Sequence, residues 1–568
     1  MKLKFIRKKI SYLLLSIGIV ISSFGFYAFN DDNINFEISK NLDIYYSLFR
    51  ELNLYYVDEI DAGKIIKTSI DKMLESLDPY TNYIPESQME DYKFMTTGQY
   101  GGIGALIRKT GDYIIIAEPY ENFPAHTDGL KAGDIILEID GKSTKGKSTE
   151  DVSKVLKGQP NSKVKLLIQR PGTEGSIEKE ITRKEIKIDN VPYYGMIENE
   201  IGYICLSQFT NSASSEVKSA LIELKEKHNA KKIIIDLRGN PGGLLIESVH
   251  ICNLFMPKGQ EVVSTKGKVS QWDKTYNTMY EPVDTAIPVV ILVNRGSASA
   301  SEIVSGAFQD TDRGVIIGER TFGKGLVQTT RSLSYNSQLK VTTAKYYIPS
   351  HRCIQALDYS HRNEDGSVGK IPDSLITEYQ TKNGRKVYDG GGILPDIQVE
   401  SEIISNIAMS LVIKNIIFDF ATQFCLKNEK ISSAKEFNIS DSEYTDFLEF
   451  LKDKDFDYTT KSEDQLKDLI KTAKKEKYYS ISEEEFKELR KKLAHDKNKD
   501  LETFKDEIKR YLAEEIISRY YFQKGRIEAV LTYDKDILKA IEVLKDTGLY
   551  TSILKGTYIP EKIDDENE

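Results

Sequence analysis

Val293-Asn294-Arg295-Gly296-Ser297-Ala298-Ser299-Ala300-Ser301-Glu302 is the stretch on which the fold turns. It leaves the apolar run Pro288–Val293, which reads as a buried strand. It enters a helical pattern over Ser301–Gln309 whose apolar face is Ile303, Val304, Ala307 and Phe308. A serine at such a junction lies where unpaired backbone N–H groups and the helix dipole favour negative charge, a suitable place to build a tetrahedral oxyanion. Taken alone, the stretch reads equally as a serine-rich helix cap. It does not match G-x-S-x-G in register with Ser299, which argues against an α/β-hydrolase elbow.

Working outward, strand and helix alternate across 189–400. Ile201–Leu206, Lys232–Leu237 and Val315–Ile317 read as strands, and Ser214–Lys227 and Leu244–Leu254 as helices. The all-apolar centre Ile233-Ile234-Ile235 suits a sheet covered on both faces, so this is an α/β domain of crossover units. Two of its turns complete a chemical group with the serine. Thr321-Phe322-Gly323-Lys324-Gly325-Leu326-Val327-Gln328 offers Lys324 as a base. A lysine ionising near pH 10.4 serves as a base at neutral pH only if desolvation lowers that value by about three units, roughly 4 kcal/mol against the charged form. The flanking glycines permit the close packing this needs. An isolated G-K-G reads better as a surface loop, and the phosphate-loop spacing is missing. Asp236-Leu237-Arg238-Gly239-Asn240-Pro241-Gly242-Gly243-Leu244 is a Gly-rich turn that presents backbone N–H groups. An N–H from Gly242 or Gly243, paired with that of Ala300, would hold an oxyanion; alone the segment is a common strand-to-helix turn. A serine–histidine–acid triad through His250 ranks below the lysine, because Val249, Ile251 and Leu254 make His250 a packed or half-exposed helix position.

Together the three segments resemble the carboxyl-terminal processing peptidases, also called tail-specific proteases. The resemblance runs from about Leu77 to Val399, and the flanking Leu77–Pro85 and Gly390–Asp396 share it. It implies a multidomain α+β protein with a ClpP/crotonase-like α/β crossover core. It implies a serine–lysine dyad: Ser299 as nucleophile, Lys324 as general base 25 residues on, and Gln328 positioning the lysine. Asp310 matches an acid important in some members, with a structural role equally in keeping. His351 departs from the pattern, since many relatives carry glycine there. No metal or cofactor is implied.

Residues 96–188 change character, with short strands (Ile103–Ile107, Tyr113–Ala117, Ile135–Ile139, Val164–Ile168), Gly-containing turns and one helix between Ser148 and Leu156, opened by Ser148-Thr149-Glu150-Asp151 as capping favours. Tyr100-Gly101-Gly102-Ile103-Gly104 and the later Gly129–Gly141 segment resemble a PDZ domain inserted before the core. A Gly-rich loop before an edge strand can take a peptide's terminal carboxylate while the peptide adds a strand to the sheet. The resemblance puts the carboxylate loop at Gly102, Ile103 and Gly104, expects apolar free C-termini as ligands, and offers Arg170 as a link to the active site.

The rest of the chain sets its address and its limits. The 568 residues are 40% hydrophobic and 29% charged with a net charge of −9, which excludes global disorder and the footprint of a general nucleic-acid binder. Four dispersed cysteines exclude a disulfide scaffold and zinc ribbons. Residues 1–30, basic and then apolar over Ile10–Phe29, read as a signal-anchor or a cleaved signal peptide, with the anchor preferred. The body is then exported, held at the cytoplasmic membrane facing the periplasm or exterior, or released to the periplasm if the leader is cut. Residues 31–95 and the highly charged 401–568 read as helical, the latter including Leu512–Tyr521 and Ile527–Leu544. The C-terminal region is open to binding an adaptor, covering the cleft or mediating self-association. The functional expectation is an exported serine endopeptidase that recognises protein tails and cleaves near them. The competing reading is a non-catalytic, membrane-anchored PDZ adaptor.

Overall fold

The computed structural model describes residues 35–400 and 402–558, so the signal-anchor or signal peptide expected at 1–30 lies outside the described residues. Among these residues no single helix is long and apolar enough to cross a membrane. The chain divides into two compact units, Met1–Tyr83 and Ile84–Glu568. In the first, a helix over 35–55 precedes helix Ala62–Glu75, whose N-cap Asp61 accepts the Lys64 N–H at 3.0 Å. The turn after it is held by Asp78, which accepts the N–H groups of Tyr80 and Thr81 at 2.8 Å each. Helix Met89–Thr97, grouped by the sequence with these helices, lies in the second unit.

The second unit is organised by a six-stranded sheet in the order Tyr193–Glu198, Ile201–Cys205, Lys232–Asp236, Val289–Val293, Val315–Gly318, Ile397–Gln398. The first pair is antiparallel and the rest are parallel. Parallel strands need crossovers, and helices Ala213–Glu226, Leu245–Phe255 and Ala300–Asp310 supply them. Side chains alternate along each strand. Ile233, Ile235, Ile291 and Val293 pack with Leu221, Phe255, Val304 and Phe308 of those helices. Ile234, Val290, Leu292 and Ile317 face the other way, and there the cover is Ile537, Ile541, Leu544, Tyr550 and Ile553. Each fully buried aliphatic side chain is worth roughly 1.5–3 kcal/mol. Residues 535–554, which the sequence set apart in the region after 400, therefore form the second layer of the α/β core. The Tyr550 hydroxyl bridges both the N–H and the carbonyl of Val289, at 3.0 and 3.2 Å.

The C-terminal helices differ from their sequence reading in one further respect. Ile527–Leu544 is not one helix. Helix Lys505–Val530 is broken at Phe522 (φ 54°, ψ −161°), and a new helix, Lys535–Lys545, starts where the Asp534 carboxylate accepts the Ile537 N–H at 3.0 Å. The remaining C-terminal helices close around Phe420, Phe424, Phe447, Leu512 and Ile516.

The small β-rich domain places its strands in the order Ala105–Thr110, Tyr113–Pro119, Ile135–Ile139, Lys163–Gln169, Ile177–Thr182, all antiparallel, leaving Ala105–Thr110 at an edge. Helix Thr149–Leu156 begins in the expected capping box of Ser148 and Asp151. Outward contacts run to the C-terminal helices: the Phe418 ring lies between the guanidinium groups of Arg108 (3.7 Å) and Arg519 (4.2 Å), and Arg526 pairs with Glu118 at 2.6 Å.

Candidate active site

Ser299 is the N-cap of helix Ala300–Asp310 and has φ 55° and ψ −111°. A non-glycine residue with this backbone is costly, of order 1–3 kcal/mol, and persists only where its surroundings over-determine it. Those surroundings are visible. The Ser299 N–H donates to Glu302 Oε2 at 2.8 Å, and the Ser299 carbonyl accepts from the Tyr346 hydroxyl at 3.3 Å. On either side, Ala298 N–H and Ser301 Oγ donate to the carbonyl of Asn240, at 3.0 and 2.9 Å. Ser299 is half-buried, on an elbow held on both sides by these hydrogen bonds.

Glu302 joins this elbow to the lysine turn. Its fully buried carboxylate accepts four hydrogen bonds: Ser299 N–H and Lys324 N–H (2.9 Å) on Oε2, Thr321 Oγ1 (2.6 Å) and Gly323 N–H (2.7 Å) on Oε1. The main-chain amides of Ser299 and Lys324 thus share one oxygen atom. Burial pushes the Glu302 carboxyl above the ordinary range, against the downward pull of those four donors. A second tie runs from Phe322 N–H to the Ser297 carbonyl at 3.0 Å. The glycines flanking Lys324 are needed for close approach. A Cβ on Gly323 would lie 2.4 Å from the Ala356 Cβ, and one on Gly325 2.8 Å from the Gln355 N.

The Gly-rich turn packs against the elbow from the other side. A Cβ on Gly242 would lie 2.6 Å from the Ala298 carbonyl oxygen, 2.8 Å from Ala300 N and 2.9 Å from the Ser299 Cβ. The turn is braced by Asn240, which donates to the Leu206 carbonyl (2.7 Å), and by Gly239 N–H on Asn294 Oδ1 (2.9 Å). The Gly242 N–H donates to Asn240 Oδ1 at 2.9 Å. The Gly242 N–H is thus engaged within its own turn.

The other residues singled out in the sequence are placed as follows. Gln328 lies on strand Leu326–Ser332 and its amide donates to Thr342 Oγ1 at 3.1 Å. Asp310 stands at the far end of the serine helix, where its buried carboxylate pairs with buried Arg352 at 2.9 Å and accepts the Ser350 N–H at 3.0 Å. His250 is half-buried on helix Leu245–Phe255 with Glu247 at 3.5 Å, one turn away on its own helix. Gly102 ends a short strand paired with Lys184–Lys187, while Ile103 and Gly104 form the loop itself, their carbonyls taken by Ala125 N–H (2.7 Å) and Tyr120 N–H (2.9 Å). The hydrogen bonds of Arg170 all stay inside this domain, to Asp134 (2.7 Å, twice) and the Gly129 carbonyl (2.8 Å); the coupling expected of it is not made by them. Glu302 and Thr321 were the residues missed. Both stand in the quoted segments, but an acid three residues into a helix reads as an ordinary cap.

A strained serine elbow tied to a lysine turn, beside a β domain with a free edge, defines a serine peptidase carrying a peptide-binding module. Comparison with known proteins agrees. Residues 200–361 match peptidase family S41, residues 115–170 match the PDZ domain, and residues 407–544 match the C-terminal helical domain of probable PDZ-proteases. A carboxy-terminal-processing protease of Bartonella bacilliformis is 34% identical over 390 residues, 68% of this chain and 86% of the relative. A probable CtpA-like serine protease of Staphylococcus aureus is 35% identical over 353 residues, 62% of this chain and 70% of the relative. The solved photosystem II D1 C-terminal processing protease is 28% identical, with a TM-score of 0.35, over 63% of this chain and 93% of that one. The chain belongs to the carboxyl-terminal processing peptidases of family S41 and is a serine-type peptidase.

Proposed function

We propose that this peptidase is an exported endopeptidase that captures the free, apolar C-termini of protein substrates in its PDZ domain and cuts near them with a Ser299–Lys324 dyad. The observation that carries the reading is the Ser299 backbone, held at φ 55° by the carboxylate that also binds the Lys324 amide. A tail entering the Ile103–Gly104 loop would extend the sheet along the edge strand Ala105–Thr110. Neutral Lys324, packed between two glycines, takes the Ser299 proton as the hydroxyl attacks the peptide carbonyl. The N–H groups of Ala300 and Gly243 receive the oxyanion, a donor pair of the kind worth about 3–4 kcal/mol per donor when removed. Lys324 then protonates the leaving amine, and water releases the acyl group. The export proposal rests on the basic and apolar leader at 1–30. A serine-directed phosphonate probe tests the dyad. It is expected to label Ser299 in the full chain, with labelling suppressed in Lys324→Ala. Tail binding without labelling would instead favour the non-catalytic adaptor.

A further inference from the structure

The C-terminal helical region contacts the Gly-rich turn beside Ser299. Arg238, in the turn that carries Gly242 and Gly243, directs Nη1 to both oxygens of Asp534 (2.9 and 2.8 Å) and to Asp536 (2.8 Å). Its Nε and Nη2 bind Asp236, at 3.0 and 2.6 Å, and Asp236 is held in turn by the Tyr203 hydroxyl at 2.7 Å. All four charged side chains are mostly shielded from solvent, between 7% and 19% exposed. We propose that Asp534 and Asp536 are positioning residues for the oxyanion turn, acting through Arg238, so that the C-terminal region is part of the catalytic apparatus.

Three carboxylates on one guanidinium leave two formal negative charges in a shielded place. Such a cluster is weak evidence for stability, because desolvation offsets the attraction; what it supplies is a fixed geometry. The geometry leads to the nucleophile in two residues of chain. Asn240, next but one after Arg238, receives the Ala298 N–H and Ser301 Oγ that bracket Ser299, and Gly242 lies against Ser299 with no room for a methyl group. A displaced Arg238 would therefore displace the turn relative to the serine, and a misplacement near 1 Å can cost about 10²-fold in rate. The anchor is rigid: Asp534 also caps helix Lys535–Lys545, which is packed on the under face of the central sheet.

The inference rests on the Ser299–Lys324 reading, and kinetics of the full chain on a peptide with a free apolar C-terminus separate the two. Asp534→Asn keeps a capping oxygen and Asp536→Asn caps nothing; in the double variant kcat is expected to fall at least about tenfold with KM within about twofold of wild type, in a protein that melts as wild type does. Arg238→Lys, which keeps the charge and loses the fork, is expected to show the same split. If the double variant does not fold, Asp536→Asn alone decides, with a severalfold loss of kcat expected. Ser299-dependent turnover at the wild-type kcat in the folded variants would overturn this inference alone. Turnover that survives Ser299→Ala would overturn the site reading and the inference with it.

Discussion

At Ser299 the local backbone and the chemistry make opposite demands, and the neighbours decide. Left to itself a serine avoids φ 55°; here Glu302, Tyr346 and Asn240 hold it there. Gly242 is the tightest point of that clamp. Gly242→Ala should cost roughly 1–3 kcal/mol of stability through overpacking and displace the elbow. It should lower kcat/KM by about 10²–10³-fold, the scale of a lost oxyanion donor, as measured by steady-state kinetics beside a thermal melt. His351 shows the same logic outside the site. It sits at φ 66° in a tight turn closed by its N–H on the Ile348 carbonyl at 2.7 Å, which is why glycine suits that position. Ser299 and Lys324 stand out in the sequence because each sits in a short segment of unusual composition. Glu302 does not, because three of its four donors come from a segment about 20 residues away, and only the fold assembles them.

Elements built on a single hydrophobic signal were legible; elements whose limits are set by tertiary contacts were not. The strands at Ile135–Ile139 and Lys232–Asp236 and the helix Thr149–Leu156 follow from apolar runs and a capping box. The break at Phe522 falls in the gap between Leu512–Tyr521 and Ile527–Leu544, and the Phe522 ring packs edge-on against His126 of the PDZ domain, at 4.8 Å between centroids; the boundary before Lys535 is the one that apolar periodicity ran through. Helix Lys461–Lys475 carries a pH-dependent contact. Its N-cap box uses Glu463, whose carboxylate also binds His495 through the backbone N–H (3.3 Å) and ring Nδ1 (3.0 Å). Burial pushes that carboxyl up, but the Thr460 N–H and the His495 contacts outweigh it and hold it at about 2. A depressed carboxylate gives stability that is present above its unfolded value, about pH 4.3, and is lost as pH falls toward 2. Amide protection factors, measured against intrinsic exchange at each pH, should therefore fall in Lys461–Lys475 over that range, and Glu463→Gln should remove the dependence.

On the scale of the whole molecule, one stretch of the C-terminal region touches the PDZ domain, the Gly-rich turn and the central sheet. Arg519 donates to the Ala117 carbonyl and Arg526 pairs with Glu118 in the PDZ domain, Asp534 and Asp536 hold Arg238 of the Gly-rich turn, and residues 535–554 cover the central sheet. The sequence marks this region as charged helix with apolar positions at helical spacing in Leu512–Tyr521 and Ile527–Leu544. Its apolar positions carry no sign that their partners include Ile234, Val290, Leu292 and Ile317, all more than 200 residues earlier, while the solvated faces dominate its composition. The central claim is that the tail reader and the Ser299–Lys324 dyad act on one substrate, and cleavage of matched peptides tests it most directly. Full-length protein should cut a peptide ending in a free apolar carboxylate, cut its C-terminally amidated twin far more slowly, and cut neither after Ser299→Ala or Lys324→Ala. Equal rates on the two peptides, or turnover that persists in folded Ser299→Ala, would contradict it.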